Sequence, residues 1–244
     1  MFSWREGARR RTATRLAAAA AARVLTISEF SKREIVAHVG IDGDKVVVVY
    51  PGVTPLNVAD ACTARENHTI LFVGSIFNRR HVPALIEGFA RLARARPDAR
   101  LEIVGDNRTS PAIDLAGTIR ATGLGDRIQL RSYVTDDELR ALYAGASAFA
   151  FLSEYEGFGL TPLEALAAGL PGLLLDTPVA REVCGDAALY VSRPDPALIE
   201  TALATLLFDA RERARILEAA PRVLARYSWA ECARDVLQVL VSCG

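Results

Sequence analysis

The chain has 244 residues and is 51% hydrophobic, enough to bury the core of one large domain, or of one domain and part of a second. Its 29 Lys and Arg balance 29 Asp and Glu, which excludes bulk electrostatic attraction to nucleic acid. The four cysteines (Cys62, Cys184, Cys232, Cys243) and three histidines (His38, His68, His81) are scattered without ligand spacing, so neither a disulfide framework nor a metal centre is expected.

Residues 1–22 read as a basic, alanine-rich helix. Arg15 and Arg23 flank an alanine block, and alanine is the strongest helix former, so an ordinary helix is expected rather than a cleaved signal. No apolar run reaches the roughly 18 residues of a membrane-spanning helix. A cytoplasmic chain is expected; Arg9–Arg11 with Arg15 permit peripheral contact with a membrane, although a solvated helix face is the plainer reading. Without secretion, the N-x-T triplets at Asn67 and Asn107 carry no message. A short strand is predicted at Arg23–Ile27, then a helix over about 29–38, capped by Ser28 and stopped by Gly40. The β-branched run Val46–Tyr50 reads as a strand buried on both faces. Pro51-Gly52 breaks it, and residues 51–68 have no period, the mark of a linker.

Beyond the linker, strands and helices alternate. Strands are predicted at Thr69–Gly74, Leu101–Gly105, Arg127–Leu130, Ala148–Leu152, Gly172–Leu175 and Ala188–Val191. Helices are predicted over Val82–Arg96, Ile113–Ala121, from the capping box Thr135-Asp136-Asp137-Glu138 to about Ala144, and near Val179–Val183. Three more finish the chain, the last being Trp229–Val241, expected to pack on its own domain. The fold class is therefore α/β, a doubly wound, Rossmann-like parallel sheet over about 69–225, with 1–50 as part of a second Rossmann domain and 226–244 as a terminal helix. Ligands of such sheets sit beyond the carboxyl ends of the strands, where three glycine turns fall: Gly74-Ser75, Gly105-Asp106 and Gly157-Phe158-Gly159.

The stretch Phe151–Pro171, F-L-S-E-Y-E-G-F-G-L-T-P-L-E-A-L-A-A-G-L-P, carries most of the chemistry. Thr161 suits a helix N-cap, Pro162 the first helical position and Glu164 the return bond of a capping box, with Gly169 and Pro171 as the stop. Helix N–H groups behind a glycine turn suit a phosphate. Two carboxylates eight positions apart, Glu156 and Glu164, suit hydroxyls rather than phosphate. The same features also occur in helices that bind nothing. Arg79-Arg80-His81 adds cations after the first turn, and Arg80, just before a helix, is the better placed to neutralise a diphosphate.

Taken together, these residues resemble the donor-binding half of the GT-B retaining glycosyltransferases of family 4, group 1. The resemblance runs collinearly from about Val24 to Leu237 through G-S-I-F-N-R-R-H-V, I-V-G-D-N and the E-x7-E motif inside S-E-Y-E-G-F-G-L-T-P-L-E-A-L-A-A-G-L-P. It implies transfer of a mannose- or glucose-type sugar from a nucleotide-diphosphate sugar, such as GDP-mannose or UDP-glucose, with retention, without a metal and without a further cofactor. It implies that Glu156 binds the donor sugar and Arg80 the leaving diphosphate. Gly74, Ser75, Arg79 and the backbone of Gly157, Phe158, Gly159 and Leu160 would line the donor, Glu164 would hold the ribose, and the base would lie near Tyr133 and Val134.

Two departures stand out. Ser75 replaces a usual basic residue, and His81 a common glycine. Members of the family also carry a complete N-terminal Rossmann domain for the acceptor, of which only about the last 45 residues are recognisable, so a truncated chain is expected, holding the donor but transferring little alone. Its partners would be the nucleotide sugar and, through the absent domain, a glycan or lipid-linked acceptor. The alternative is a non-catalytic nucleotide-sugar-binding subunit that needs a separate acceptor-domain partner. A Rossmann oxidoreductase fits poorly, because no strand is followed by G-x-G-x-x-G.

Overall fold

The computed structural model describes residues 4–55 and 67–243, with the side chains of Trp4 and Arg5 left aside. Cys62 and residues 56–66 of the expected linker lie outside the described residues. The chain groups into two compact units, one formed by Met1–Gly52 with Arg226–Gly244 and the other by Val53–Ala225.

The smaller unit begins with α1 (Trp4–Ala20), β1 (Val24–Thr26), α2 (Glu29–Val39) and β2 (Val46–Val48). Ser28 caps α2 by accepting from the Ser31 N–H at 2.9 Å, and Gly40 ends it in the left-handed region at φ 78°. β1 and β2 pair in parallel, Val24 opposite Val46 and Thr26 opposite Val48. The expectation of a strand buried on both faces is not met: Val46 and Val49 are buried, but Val47 and Val48 only half so. The reason is sheet width. Each of the two strands keeps one unpaired edge among the described residues, and Leu25 and Ile27 stay 40% and 46% exposed.

The larger unit holds β3 (Thr69–Val73), α3 (Val82–Ala95), β4 (Arg100–Val104), α4 (Leu115–Thr122), β5 (Ile128–Arg131), α5 (Asp136–Gly145), β6 (Ala148–Phe151), α6 (Leu160–Ala167), β7 (Gly172–Leu175), α7 (Pro178–Cys184), β8 (Ala188–Val191), α8 (Pro196–Phe208) and α9 (Ala210–Leu224). Its six strands are parallel in the order β5-β4-β3-β6-β7-β8. The order reverses between β3 and β6, where Ile70 stands opposite Ala148 and Leu71 opposite Phe149. Those two strands are covered on both faces: Ile70, Leu71, Phe72, Ala148, Phe149 and Ala150 are fully buried. On one side α3 lies close to α8 because Gly88 has no side chain; a Cβ there would stand 2.5 Å from Ile199 Cγ2. Asp114 caps α4, which moves its start from the expected Ile113 to Leu115. The capping box of α5 forms in both directions, between Thr135 and Glu138.

The last helix, α10 (Trp229–Val241), groups with Met1–Gly52. Gly52 is the local reason, since a Cβ on it would fall 2.3 Å from the backbone nitrogen of Trp229. The absence of a side chain lets the chain cross against the first turn of the helix.

Candidate functional site: the loops at the strand-order reversal

The site is built where β3 and β6 end. β3 leads into Gly74 at φ 140°, and β4 into Gly105 at φ 152°. A Cβ on Gly105 would stand 2.0 Å from the Gly74 carbonyl oxygen, and one on Gly74 2.7 Å from Arg80 Nη1. Both positions therefore require glycine, and their bareness admits the Arg80 guanidinium to the end of β3. The turns are tied together by the Ile76 N–H donating to the Asp106 carbonyl at 2.8 Å. A short 3-10 helix at Asn78–Arg80, not foreseen in the sequence, folds the two arginines back over the strand ends. His81 then takes the left-handed region, at φ 49°, to start α3. A non-glycine there costs about 1–2 kcal/mol. His81 Nε2 lies 2.8 Å from a carboxylate oxygen of Glu154 without the geometry of a hydrogen bond.

The β6 loop meets these residues point by point. Arg80 donates from Nε to Glu156 Oε1 at 2.8 Å, its Nη2 lies 2.8 Å from the same oxygen, and Nη1 donates to the Ser75 carbonyl at 2.8 Å. The guanidinium lies over the Phe151 ring, 4.7 Å from its centroid, within the range of a cation–π contact. Ser153, nearly buried at 7% exposure, donates its hydroxyl to Glu156 Oε1 at 2.9 Å. Arg79 donates from Nε to the Tyr155 carbonyl at 2.9 Å and stacks over Phe77, while its own carbonyl accepts from the Glu154 N–H. Phe151, Phe158, Leu174 and Val179 form an apolar wall on one side of Glu156, around a small cavity of about 20 Å3. Such a wall lowers the local dielectric and strengthens the ion pair beside it.

The helix after this loop starts differently from the sequence reading. Gly159, at φ 113°, is the N-cap of α6, so Leu160 is its first residue and the expected Thr161–Glu164 capping box does not form. The cause is the glycine itself, which turns the chain into the helix two residues before Thr161. Pro162 then occupies the third helical position, still within the turn where its missing N–H is no loss. Among the helices from α2 to α10, all have a side-chain N-cap except α3 and α6. Those two follow the loops on either side of the reversal. Helix N-termini left without a side-chain cap are suited to anions.

Glu164, freed from capping, is half-buried, and its carboxylate makes no hydrogen bond or ion pair among the described residues. Burial pushes its carboxyl above the usual range. The buried Tyr143 hydroxyl has no hydrogen-bond partner among the described residues, and burial, followed by the Glu164 charge, pushes it upward as well.

Of the residues singled out in the sequence, Gly74, Ser75, Arg79, Arg80 and Glu156 are brought together by direct contacts. Gly157, Phe158, Gly159 and Leu160 continue from Glu156 into α6, with Phe158 buried and Leu160 38% exposed. Tyr133 and Val134 lie apart, past the end of β5 on the outer edge of the sheet, with Tyr133 80% exposed. Three strand spacings, about 14 Å, separate β5 from β6, the scale of an extended nucleotide rather than of a small ligand. Ser153 and the Phe151 platform were not singled out in the sequence; a serine three residues ahead of Glu156 was the available signal. Among the described residues no group of three or more His, Cys, Asp or Glu is placed to hold a metal ion, and no helix is long and apolar enough to cross a membrane.

A carboxylate held by an arginine beside two helix N-termini without side-chain caps can take both a diphosphate and hydroxyls. Comparisons with known proteins agree with this chemistry. The model of the glycosyl transferases group 1 matches residues 62–223, and that of glycosyltransferase family 4 matches residues 1–55. The chain is 30% identical over 232 residues to a GDP-mannose:cellobiosyl-diphosphopolyprenol alpha-mannosyltransferase of Komagataeibacter xylinus, covering 92% of this chain and 57% of the relative. It is 31% identical over 173 residues to an O-antigen chain mannosyltransferase of Salmonella typhimurium, covering 70% of this chain and 47% of the relative. The chain thus spans about half the length of these curated relatives. Anabaena HepE, solved in complex with UDP-glucose, shares the fold at a TM-score of 0.82 and 19% identity, over 95% of this chain and 67% of that one.

Proposed function

Because the chain belongs to the group 1 glycosyltransferases of family 4, a family of retaining enzymes that use nucleotide-diphosphate sugars, we propose that it binds such a donor at the reversal between β3 and β6 and serves hexosyl transfer from it. The observation that carries this reading is the contact of Arg80 with Glu156 between the N-termini of α3 and α6. The diphosphate would lie against Gly74, Ser75, Arg79, Arg80 and the first N–H groups of α6. Glu164 would accept from the ribose hydroxyls, and the base would reach the Tyr133–Val134 edge. Glu156 and the backbone of Gly157–Leu160 would hold the sugar.

Transfer breaks the bond between the anomeric carbon and the distal phosphate oxygen. The electron pair leaves with the diphosphate, and the sugar passes through an oxocarbenium-like state before the acceptor hydroxyl oxygen bonds to the same face and gives its proton to the departing diphosphate. The departing charge is met by Arg80 and by helix N–H groups, which are already oriented and need no reorganisation as charge develops. The relatives' names favour a mannose- or glucose-type donor such as GDP-mannose or UDP-glucose, and a glycan or lipid-linked glycan as acceptor.

Calorimetric titration of the chain with GDP-mannose, UDP-glucose, GDP, UDP and NAD tests this. Binding of a nucleotide sugar more tightly than of its nucleoside diphosphate, with no response to NAD, is expected. NAD binding without nucleotide-sugar binding would overturn the reading.

A further inference from the structure

Resting on that reading, we propose that Ser153 is a positioning residue that divides the Glu156 carboxylate into a protein-facing oxygen, Oε1, and a ligand-facing oxygen, Oε2. Oε1 is surrounded: Arg80 Nε and Nη2 stand at 2.8 Å each and the Ser153 hydroxyl at 2.9 Å. Three donors exhaust what one carboxylate oxygen accepts. Oε2 is left with Arg79 Nη2 at 3.8 Å, beyond hydrogen-bond range. An arginine facing a carboxylate commonly makes two parallel bonds, one to each oxygen. Here the Arg80 contacts converge on one oxygen instead, and Ser153 is the group that shares that oxygen from the protein side. The serine hydroxyl has one proton and two nearby acceptors, Glu156 Oε1 at 2.9 Å and the Tyr155 carbonyl at 3.3 Å. The shorter, charge-assisted bond to the carboxylate takes it.

The consequence is orientation. With Ser153 in place the carboxylate is held at two edges, by the β3 loop through Arg80 and by its own loop through the serine. Without it, Glu156 can rotate about its last torsion and present both oxygens to Arg80, which removes the acceptor kept for a sugar hydroxyl. Arg80 retains donors on Nη1 and Nη2 beyond those used here, so holding Glu156 does not prevent it from meeting a diphosphate. Ser153 therefore acts on the sugar and not on the nucleotide.

The test compares two affinities in the full chain: that for UDP-glucose or GDP-mannose, whichever the wild type binds, and that for the matching UDP or GDP. Ser153→Ala should weaken the nucleotide sugar about tenfold and leave the nucleoside diphosphate within twofold. Ser153→Thr, which keeps the hydroxyl, should restore the difference. In a Glu156→Gln background, Ser153→Ala should have no further effect on the sugar contribution. Equal loss of both ligands, or a full additional loss in the Glu156→Gln background, would show a merely structural serine and overturn the assignment. So would a Ser153→Ala chain that keeps the whole sugar contribution. A wild type that gains nothing from the sugar removes the proposed function, and this assignment with it.

Discussion

Arg80 and Glu156 are 76 positions apart and share a 2.8 Å hydrogen bond across the line where the strand order of the sheet reverses. The pair is largely out of water, with side chains 13% and 19% exposed. It connects the loop after β3 to the loop after β6, and the Arg79–Tyr155, Arg79–Glu154 and His81–Glu154 contacts run beside it. The two loops thus hold each other at the place where the proposed diphosphate and sugar would meet.

Removing one member of this pair leaves the other charge in a partly dry site. Arg80→Met should destabilise the chain by about 2–4 kcal/mol, near the lower end of what breaking a buried pair costs, read as a lower urea midpoint. The double change Arg80→Met with Glu156→Met should recover most of that stability and still lack nucleotide-sugar binding. Recovery of both together would show that the pair serves only the fold.

Gly74 has no room for a side chain, since a Cβ would come within 2.7 Å of Arg80 Nη1 and its φ of 140° disfavours other residues. Gly74→Ala should lower stability by about 2 kcal/mol, from backbone strain and displacement of the guanidinium, and should abolish donor binding. Among the described residues, Gly125 has nothing within 4 Å of its would-be Cβ. Gly125→Ala should leave binding unchanged and stability within about 1 kcal/mol. Thermal melts and titrations of the two variants side by side check the contrast.

Burial raises the Glu164 carboxyl in the folded chain. The folded chain therefore holds a proton there that the unfolded chain has released, over the pH window between the ordinary carboxylate value and the raised one. That contribution is complete below the ordinary value and is lost as pH rises through the folded one. Glu164→Gln, always neutral, should melt above the wild type at pH 7.5, and the gap should close as pH falls to about 4. Ribose hydroxyls favour the charged form, so wild-type binding should tighten with rising pH and release a proton. Glu164→Gln should bind about tenfold more weakly at pH 7.5, with little pH dependence left in this range.

The capping box of α5 lies outside the reversal. Thr135 accepts from the Glu138 N–H, and Glu138 accepts from the Thr135 N–H at 2.7 Å. Thr135→Ala should cost about 1 kcal/mol of stability and leave nucleotide-sugar affinity unaltered. A change in affinity would tie α5 to the donor site.

The amino-acid sequence by itself determined what depends on neighbours a few positions away. Period-two and period-3.6 apolar patterns specify the alternating strands and helices, and Ser28 and the Thr135–Glu138 pair cap their helices as local chemistry requires. The eight-residue spacing of Glu156 and Glu164 and the glycines at strand ends were likewise legible, because each motif is contiguous. Tertiary structure alone decided which strands became neighbours, and so brought Arg80 to Glu156 and Ser153 to the same oxygen. It also took α10 to the unit of Met1–Gly52 and let Gly159, not Thr161, begin α6. Local periodicity does not state strand order or the path of a left-handed turn. Those follow from packing and backbone geometry that form only when distant segments meet, and they decided that Glu164 is released from capping and half-buried.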